Sequence, residues 1–269
     1  MGHGGTLDPF ATGLLMILVG RGVKLARYFL GSQKAYEARF RFGETTIPGD
    51  PTEAVSETSE HIPPSIEELR ELAHKFTLEP YAQTPPMHSA KKKDGIALYK
   101  LARAGIEVER QPKVCHLYEF QIVEYSPPRG TLVLKCSSGT YVRTLLQDFS
   151  KKLGTVGLLE TLHRNASGIF SVDRAWTIQQ LAEAGTDWES LPCWVPFDRL
   201  LDGFDRAEAT QEEATALLHG KQSVLPGLLQ KSNLSPLSEC VAIYSSKQLV
   251  AVARKENHLW GIERVFSDT

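Results

Sequence analysis

The chain has 269 residues, 42% of them hydrophobic and 23% charged, with a formal net charge of −2. That length suits one large domain or a medium and a small one, and the composition is that of a folded globular protein rather than a disordered or collagen-like one. The near-neutral total excludes an overall basic field, so a nucleic-acid partner must be met by cations gathered on one face.

The chain opens on Gly2-His3-Gly4-Gly5-Thr6-Leu7-Asp8-Pro9-Phe10-Ala11-Thr12-Gly13, where a histidine and a carboxylate flank a flexible turn. Asp8-Pro9 reads as a helix start, because the carboxylate can cap orphan amides and proline suits the first helical position. The apolar residues behind it extend that helix to about Leu30. The longest apolar run within it, residues 14–19, is far short of a membrane span. Clean alternation from Tyr36 to Phe42 predicts a strand with Tyr36, Ala38, Phe40 and Phe42 on its apolar face. Residues 43–64 are polar and rich in Thr, Glu and Pro, and read as a loop or mobile excursion. Ser65 and Glu68 make a capping box for a helix that carries Ile66, Leu69, Leu72, Ala73 and Phe76 on one stripe.

Residues 79–95 contain Pro80, Pro85, Pro86 and Lys91-Lys92-Lys93, the signature of an exposed basic loop. A short helix from Leu98 ends at Gly105. Segments 114–125 and 131–136 read as paired strands around the turn Pro127-Pro128-Arg129-Gly130. A helix follows from about Tyr141 to Leu153, and another over 177–184. Composition shifts near 198–210. Beyond it, Thr210 and Glu213 cap a helix that stops at Gly220, and three short strands near 240–244, 249–254 and 262–266 make a small β-rich module with its boundary near 205. The four cysteines are widely spaced and form no C-x-x-C pair, which argues against zinc or a disulfide framework and for reduced thiols in a cytoplasmic protein.

Several residues have both a structural and a chemical reading. Asp8 suits an N-cap, and a carboxylate fixed at such a place is also what a nucleophile or base requires. Arg143 suits a surface charge, yet the preceding Ser-Ser-Gly-Thr-Tyr turn would present its guanidinium at a cleft, where a bidentate pair fixes a carboxylate's orientation. Tyr36 and Tyr141 suit core aromatics or walls that grip a planar base. His3 is either a loose chain end or a loop tip that enters a groove. The run containing Lys92 is either a solvated face or a set of phosphate contacts.

Four blocks stand in order along the chain. The first is Gly2-His3-Gly4-Gly5-Thr6-Leu7-Asp8-Pro9 with Ala11-Thr12-Gly13-Leu14-Leu15. The second is Lys34-Ala35-Tyr36. The third is Pro85-Pro86-Met87-His88-Ser89-Ala90-Lys91-Lys92, continuing through Gly95, Leu98-Tyr99, Ala102-Arg103 and Gly105. The fourth is Cys136-Ser137-Ser138-Gly139-Thr140-Tyr141-Val142-Arg143-Thr144, with Leu162-His163-Arg164 downstream. Together they resemble the bacterial TruB family of tRNA pseudouridine synthases.

The resemblance implies an α+β pseudouridine-synthase fold over residues 1–204, with a mixed, mainly antiparallel sheet flanked by helices. A small β-rich PUA-like RNA-binding module over 205–269 would follow it. It implies an isomerase that turns uridine-55 of the tRNA T-loop into pseudouridine: the uracil is detached, rotated and rejoined through carbon 5, with neither metal nor organic cofactor. Asp8 matches the catalytic aspartate, Arg143 its ion-pair partner, and Tyr36 the aromatic that packs on the uracil and moves a proton. Tyr141 and Leu162 match pocket residues, and His3 a histidine that enters the loop vacated by the flipped base. Lys92 falls among the substrate contacts. The expected partner is the T-arm of tRNA, for a monomeric protein that binds no membrane.

Members of the family ordinarily have a further segment with a Lys-Pro motif and a central strand ahead of the glycine-rich block, so the resemblance implies that an upstream segment is missing here. In the polar loop only Asp50 keeps its place, and His163 stands where a second arginine is common. The missing segment leaves a second reading open, a non-catalytic tRNA-binding or folding module.

Overall fold

The computed structural model, which describes residues 1–267 apart from Ala90, corrects the sequence reading at its first element. Asp8-Pro9 opens a turn rather than a helix, closed by the Ala11 amide donating to the Asp8 carbonyl at 2.9 Å. Around it lie three two-residue strands, β1 (Gly2–His3), β2 (Thr12–Gly13) and β3 (Ile17–Leu18), with β1 and β3 paired antiparallel. Helical backbone begins only at Gly20, as a 3-10 turn through Leu25 that continues into α1 (Ala26–Leu30). The cause is long-range. Gly13 holds φ at +99°, and a Cβ on it would stand 2.4 Å from the Arg164 carbonyl oxygen. Glycine alone tolerates that dihedral together with that approach, and the pairing it permits overrides the local helix signal.

The alternating segment forms β4 (Lys34–Phe42), with Tyr36, Ala38, Phe40 and Phe42 all buried. Next come the paired strands β5 (Glu44–Thr46) and β6 (Val55–Thr58), then α2 (Ile66–Leu78). Part of 43–64 is therefore built into the fold rather than mobile. Thr46 and Asp50 are buried, and the Thr46 hydroxyl donates to the Asp50 carbonyl at 2.6 Å. The expected Ser65–Glu68 box is absent because the Ser65 hydroxyl accepts from the Glu67 amide and donates to the Glu67 carboxylate at 2.6 Å.

Residues 79–95 are likewise only partly exposed. They include β7 (Tyr81–Gln83) and the first strand of the hairpin β8 (Lys92–Lys93) and β9 (Ile96–Ala97), and both Gln83 and Ser89 are buried. The proline-rich stretch 84–88 thus runs between buried side chains. Then follow α3 (Leu98–Arg103) and β10 (Lys113–Cys115), which pairs with β7.

The main sheet is completed by β11 (Leu117–Ser126), β12 (Arg129–Cys136), β13 (Gly157–Ser167) and β14 (Phe170–Ser171), with α4 (Val142–Lys152) between β12 and β13. Its order is β11-β12-β4-β13-β14, all antiparallel, with β2 added parallel to β13. This is the mixed, mainly antiparallel sheet expected. The apolar face of β4 packs with Leu69, Ala73 and Phe76 of α2 and Leu145, Leu146 and Phe149 of α4. Each such ring or aliphatic side chain contributes about 1.5–3 kcal/mol by leaving water. That burial fixes α4, and with it Arg143, against the sheet.

The described chain divides into two compact units, Met1–Ala175 and Trp176–Thr269. The second begins ahead of the compositional shift near 205. Its early part is tied to its later strands: the Asp198 carboxylate accepts from the Leu249 amide at 2.8 Å, and the Phe197 and Phe266 rings stand 5.2 Å apart. This unit holds α5 (Ile178–Glu183), β15 (Asp205–Glu208), α6 (Gln211–Leu218), α7 (Leu225–Gln230) and β16 (Cys240–Ser245), β17 (Gln248–Glu256) and β18 (Leu259–Val265). The sheet order is β15-β16-β17-β18, with β15 parallel to β16. Thr210 and Glu213 form the reciprocal capping box read from the sequence. No helix among the described residues is long and apolar enough to cross a membrane.

Candidate active site

Arg143 lies in the first turn of α4 and is 3% exposed. Its guanidinium is saturated by five contacts. Nε donates to Asp8 Oδ2 at 2.8 Å and Nη2 to Asp8 Oδ1 at 2.7 Å, a bidentate fork. Nη2 also donates to the His88 carbonyl, and Nη1 to the Pro48 carbonyl, each at 3.0 Å. Nη1 pairs with Asp50 Oδ2 at 3.3 Å, and Asp50 is itself buried. One cation thus serves two carboxylates. The Pro48, Asp50 and His88 contacts keep the fork from swinging away from Asp8, whose side chain is 29% exposed and so open to a substrate on its outer side.

The support for Arg143 comes from a residue that the sequence reading passed over. Gln83 on β7 is 1% exposed, and its amide brackets the residue before α4: the Tyr141 N–H donates to Gln83 Oε1 at 2.7 Å, and Gln83 Nε2 donates to the Tyr141 carbonyl at 3.0 Å. The same amide donates to the Tyr81 hydroxyl, which in turn donates to the Asp148 carboxylate about two turns further along α4. Burial, followed by that bond, pushes the Tyr81 phenol up. A glutamine just ahead of Pro85-Pro86 was the available signal, since a buried amide needs partners on both its oxygen and its nitrogen.

Asp50 was noted only as keeping its place in a polar loop. The loop is held in shape by Thr46, whose hydroxyl also accepts from the Asp50 amide at 3.1 Å, and by the Thr52 amide donating to Asp50 Oδ1 at 3.0 Å. Asp50→Ala is expected to lower the unfolding free energy by about 3 kcal/mol in urea titrations, the low end for a broken buried pair because Arg143 keeps Asp8.

Tyr36 sits on β4 opposite Leu134 and Arg164 and is 9% exposed. Burial pushes its phenol up to about 12, and the nearby Asp8 charge adds to that rise while Arg164 opposes it. The side chain therefore keeps its proton well past neutral pH. Leu162 on β13 pairs with Ala38 and shares the core with Tyr36, against which Phe10 and Ala11 pack. Tyr141, half-buried, precedes Arg143 by two residues.

His3 is exposed in the β1–β3 hairpin, where its Nδ1 accepts from the Gly5 amide at 3.3 Å. Lys92 is exposed in the β8–β9 hairpin, in the segment whose His88 carbonyl Arg143 binds. The fold thus places Asp8 and Arg143 in direct contact, with Tyr36 beside them. Leu162 stands on the adjoining strand β13 and Tyr141 just ahead of α4, while His3 and Lys92 are exposed on the short strands β1 and β8. A fixed carboxylate, a phenol that retains its proton and apolar walls thus stand together, groups able to move a proton beside a planar ring.

Comparison with known proteins identifies the family. Residues 1–142 match the family model described as TruB family pseudouridylate synthase, N-terminal domain. A tRNA pseudouridine synthase B of Bordetella avium is 43% identical over 190 residues, covering 69% of this chain and 76% of the relative. One of Burkholderia lata is 35% identical over 269 residues, 98% of this chain and 80% of that protein. Among solved structures, a Cbf5-Nop10-Gar1 complex matches with TM-score 0.73 at 20% identity, over 99% of this chain and 76% of that one, which shows a shared fold. The chain belongs to the TruB family. It is a pseudouridine synthase.

Proposed function

We propose that this enzyme isomerises uridine-55 in the T-loop of tRNA, acting as a cytoplasmic monomer with Asp8 as the reacting carboxylate. The observation that carries the reading is the two-point Asp8–Arg143 fork backed by Asp50. The name its relatives carry, tRNA pseudouridine synthase B, supports tRNA as the substrate. In the reaction the uracil N1–C1′ bond breaks and a C5–C1′ bond forms. The proton on C5 is lost and N1 gains one, so no atom is added or removed.

A uridine inside a folded RNA loop must first leave its stack, at a cost of a few kcal/mol. His3, on its exposed hairpin, fills the vacated space. Tyr36, Tyr141 and Leu162 hold the extruded ring, and the walls around them keep water from the detached base. Lys92 contacts phosphate. Residues 205–269 act as a PUA-like RNA-binding module. Tyr36 stacks on the ring, and its hydroxyl, which is not ionised at neutral pH, moves the C5 proton as a relay, taking it up while passing its own proton on toward N1. Tyr36→Phe is accordingly expected to lower the single-turnover rate by about 10²–10⁴-fold while the ring contacts persist, with tRNA affinity measured in parallel and close to wild type.

The test is incubation with an unmodified tRNA transcript followed by mapping of pseudouridine. Product at position 55, and none in a transcript carrying cytidine there, is expected. A gel shift of the transcript with no product at all would favour a binding module instead.

A further inference from the structure

Behind the Asp8 turn lies a second buried guanidinium, which hydrogen-bonds the Tyr36 hydroxyl and to which the chemistry above gives no role of its own. Arg164 on β13 is 2% exposed. Its Nε donates to the Leu14 carbonyl at 2.8 Å, Nη1 to the Thr6 carbonyl at 3.0 Å and Nη2 to the Gly5 carbonyl at 3.2 Å. These three acceptors belong to one segment and lie on both sides of Asp8. We infer that Arg164 is a positioning residue for the reaction, a clamp that fixes the backbone carrying Asp8 as Arg143 fixes its carboxylate.

The surrounding contacts act in the same direction. The Leu14 amide donates to the Arg164 carbonyl at 2.8 Å, β2 pairs through Thr12–His163 and Gly13–Arg164, and Thr12 Oγ1 meets His163 Nδ1 at 2.8 Å. Two consecutive residues of one strand thus grip the segment through backbone and side chains. Taking a guanidinium out of water costs several kcal/mol unless its donors are satisfied, and an apolar residue would fill the same space at less cost. What the arginine adds is geometry: a planar fork reaches carbonyls on both sides of the turn, which a lysine's point charge cannot do. The neighbouring Lys34 cannot take its place. Its ammonium donates to the Phe29 carbonyl at 2.7 Å, the Ser32 carbonyl at 2.8 Å and the Ser32 hydroxyl at 2.9 Å, at the end of α1.

The inference rests on the reading of Asp8 as the reacting group, so Asp8→Asn is measured alongside. The experiment determines single-turnover rates at saturating unmodified tRNA transcript, dissociation constants for that transcript and thermal unfolding for wild type, Arg164→Met, Arg164→Lys and Gly13→Ala. Arg164→Met should lose about 100-fold in rate, the scale of a misplacement near 1 Å, while its dissociation constant stays within about fivefold. Arg164→Lys should recover part of that rate. Gly13→Ala pries the segment from β13 without touching the Arg164 side chain, and should show the same split between rate and binding. If Arg164→Met does not fold, Arg164→Lys carries the test, and a wild-type rate in it would overturn the clamp.

A folded Arg164→Met with wild-type rate, or losses in rate that follow binding or the folded fraction, would overturn the clamp. If Asp8→Asn is inactive while Arg164→Met is fully active, the clamp alone is wrong. If Asp8→Asn turns over, the reading of Asp8 fails and the clamp loses its purpose.

Discussion

Asp8→Asn should abolish pseudouridine formation, by on the order of 10⁴-fold or more in single-turnover rate, while tRNA binding stays within about fivefold. Asparagine has the size of aspartate and keeps one oxygen to accept from Arg143, so the turn at residues 8–11 and its ties to β13 persist. What disappears is the second anionic oxygen and the charge, which no neighbour can supply: Asp50 is buried on the far side of the same guanidinium. The binding surface expected around His3 and Lys92 is untouched by the change. A large loss of binding with retained turnover would invert the assignment, making residue 8 a substrate contact and not a reacting group.

The second large effect is expected at Arg143, where both stability and rate should fall. Arg143→Met leaves the Asp8 and Asp50 carboxylates, together with the Pro48 and His88 carbonyls, gathered around a site with no cation. Breaking a buried pair in this way costs about 3–5 kcal/mol, because charges remain desolvated without a partner. Urea unfolding should show that loss. The rate at saturating tRNA should fall by about 10³-fold or more even in protein that remains folded, since Asp8 loses its orientation. Arg143→Lys should be intermediate in stability yet close to Arg143→Met in rate. Lysine restores one positive charge but not two parallel N–H donors. Equal recovery of rate and stability in Arg143→Lys would mean that charge alone matters at this position.

What the sequence revealed depended on how local the signal was. Strand β4 was legible because alternation over Tyr36–Phe42 is a local pattern and the fold buries the face it marks. The helix α4 was legible for a similar reason, and it brought Arg143 forward as a residue worth weighing. The turn carrying Asp8 was misread because Asp-Pro followed by apolar residues is also how a helix begins. The deciding facts, the positive φ of Gly13 and its approach to Arg164, join parts of the chain far apart in sequence.

The loops at 43–64 and 79–95 misled through composition. Polar, proline-rich stretches usually run over the surface, but here Thr46, Asp50 and Gln83 are drawn inward to serve Arg143 and α4, and Ser89 is buried as well. A buried guanidinium needs such polar neighbours, and nothing local in the sequence says which polar loop will supply them. Arg164 left a fainter trace. It shares the parity of Leu162 on β13, so a charge stood at an inward position and required buried acceptors.

The most direct measurement is a structure of the Asp8→Asn variant bound to an unmodified T-arm stem-loop. The account predicts the target uridine out of its stack, its ring against Tyr36 and its ribose–base bond beside residue 8, with the Arg143 contacts to Pro48, Asp50 and His88 unchanged. A uridine still stacked in the loop, or extruded into a cleft lined by neither Tyr36 nor residue 8, would contradict it.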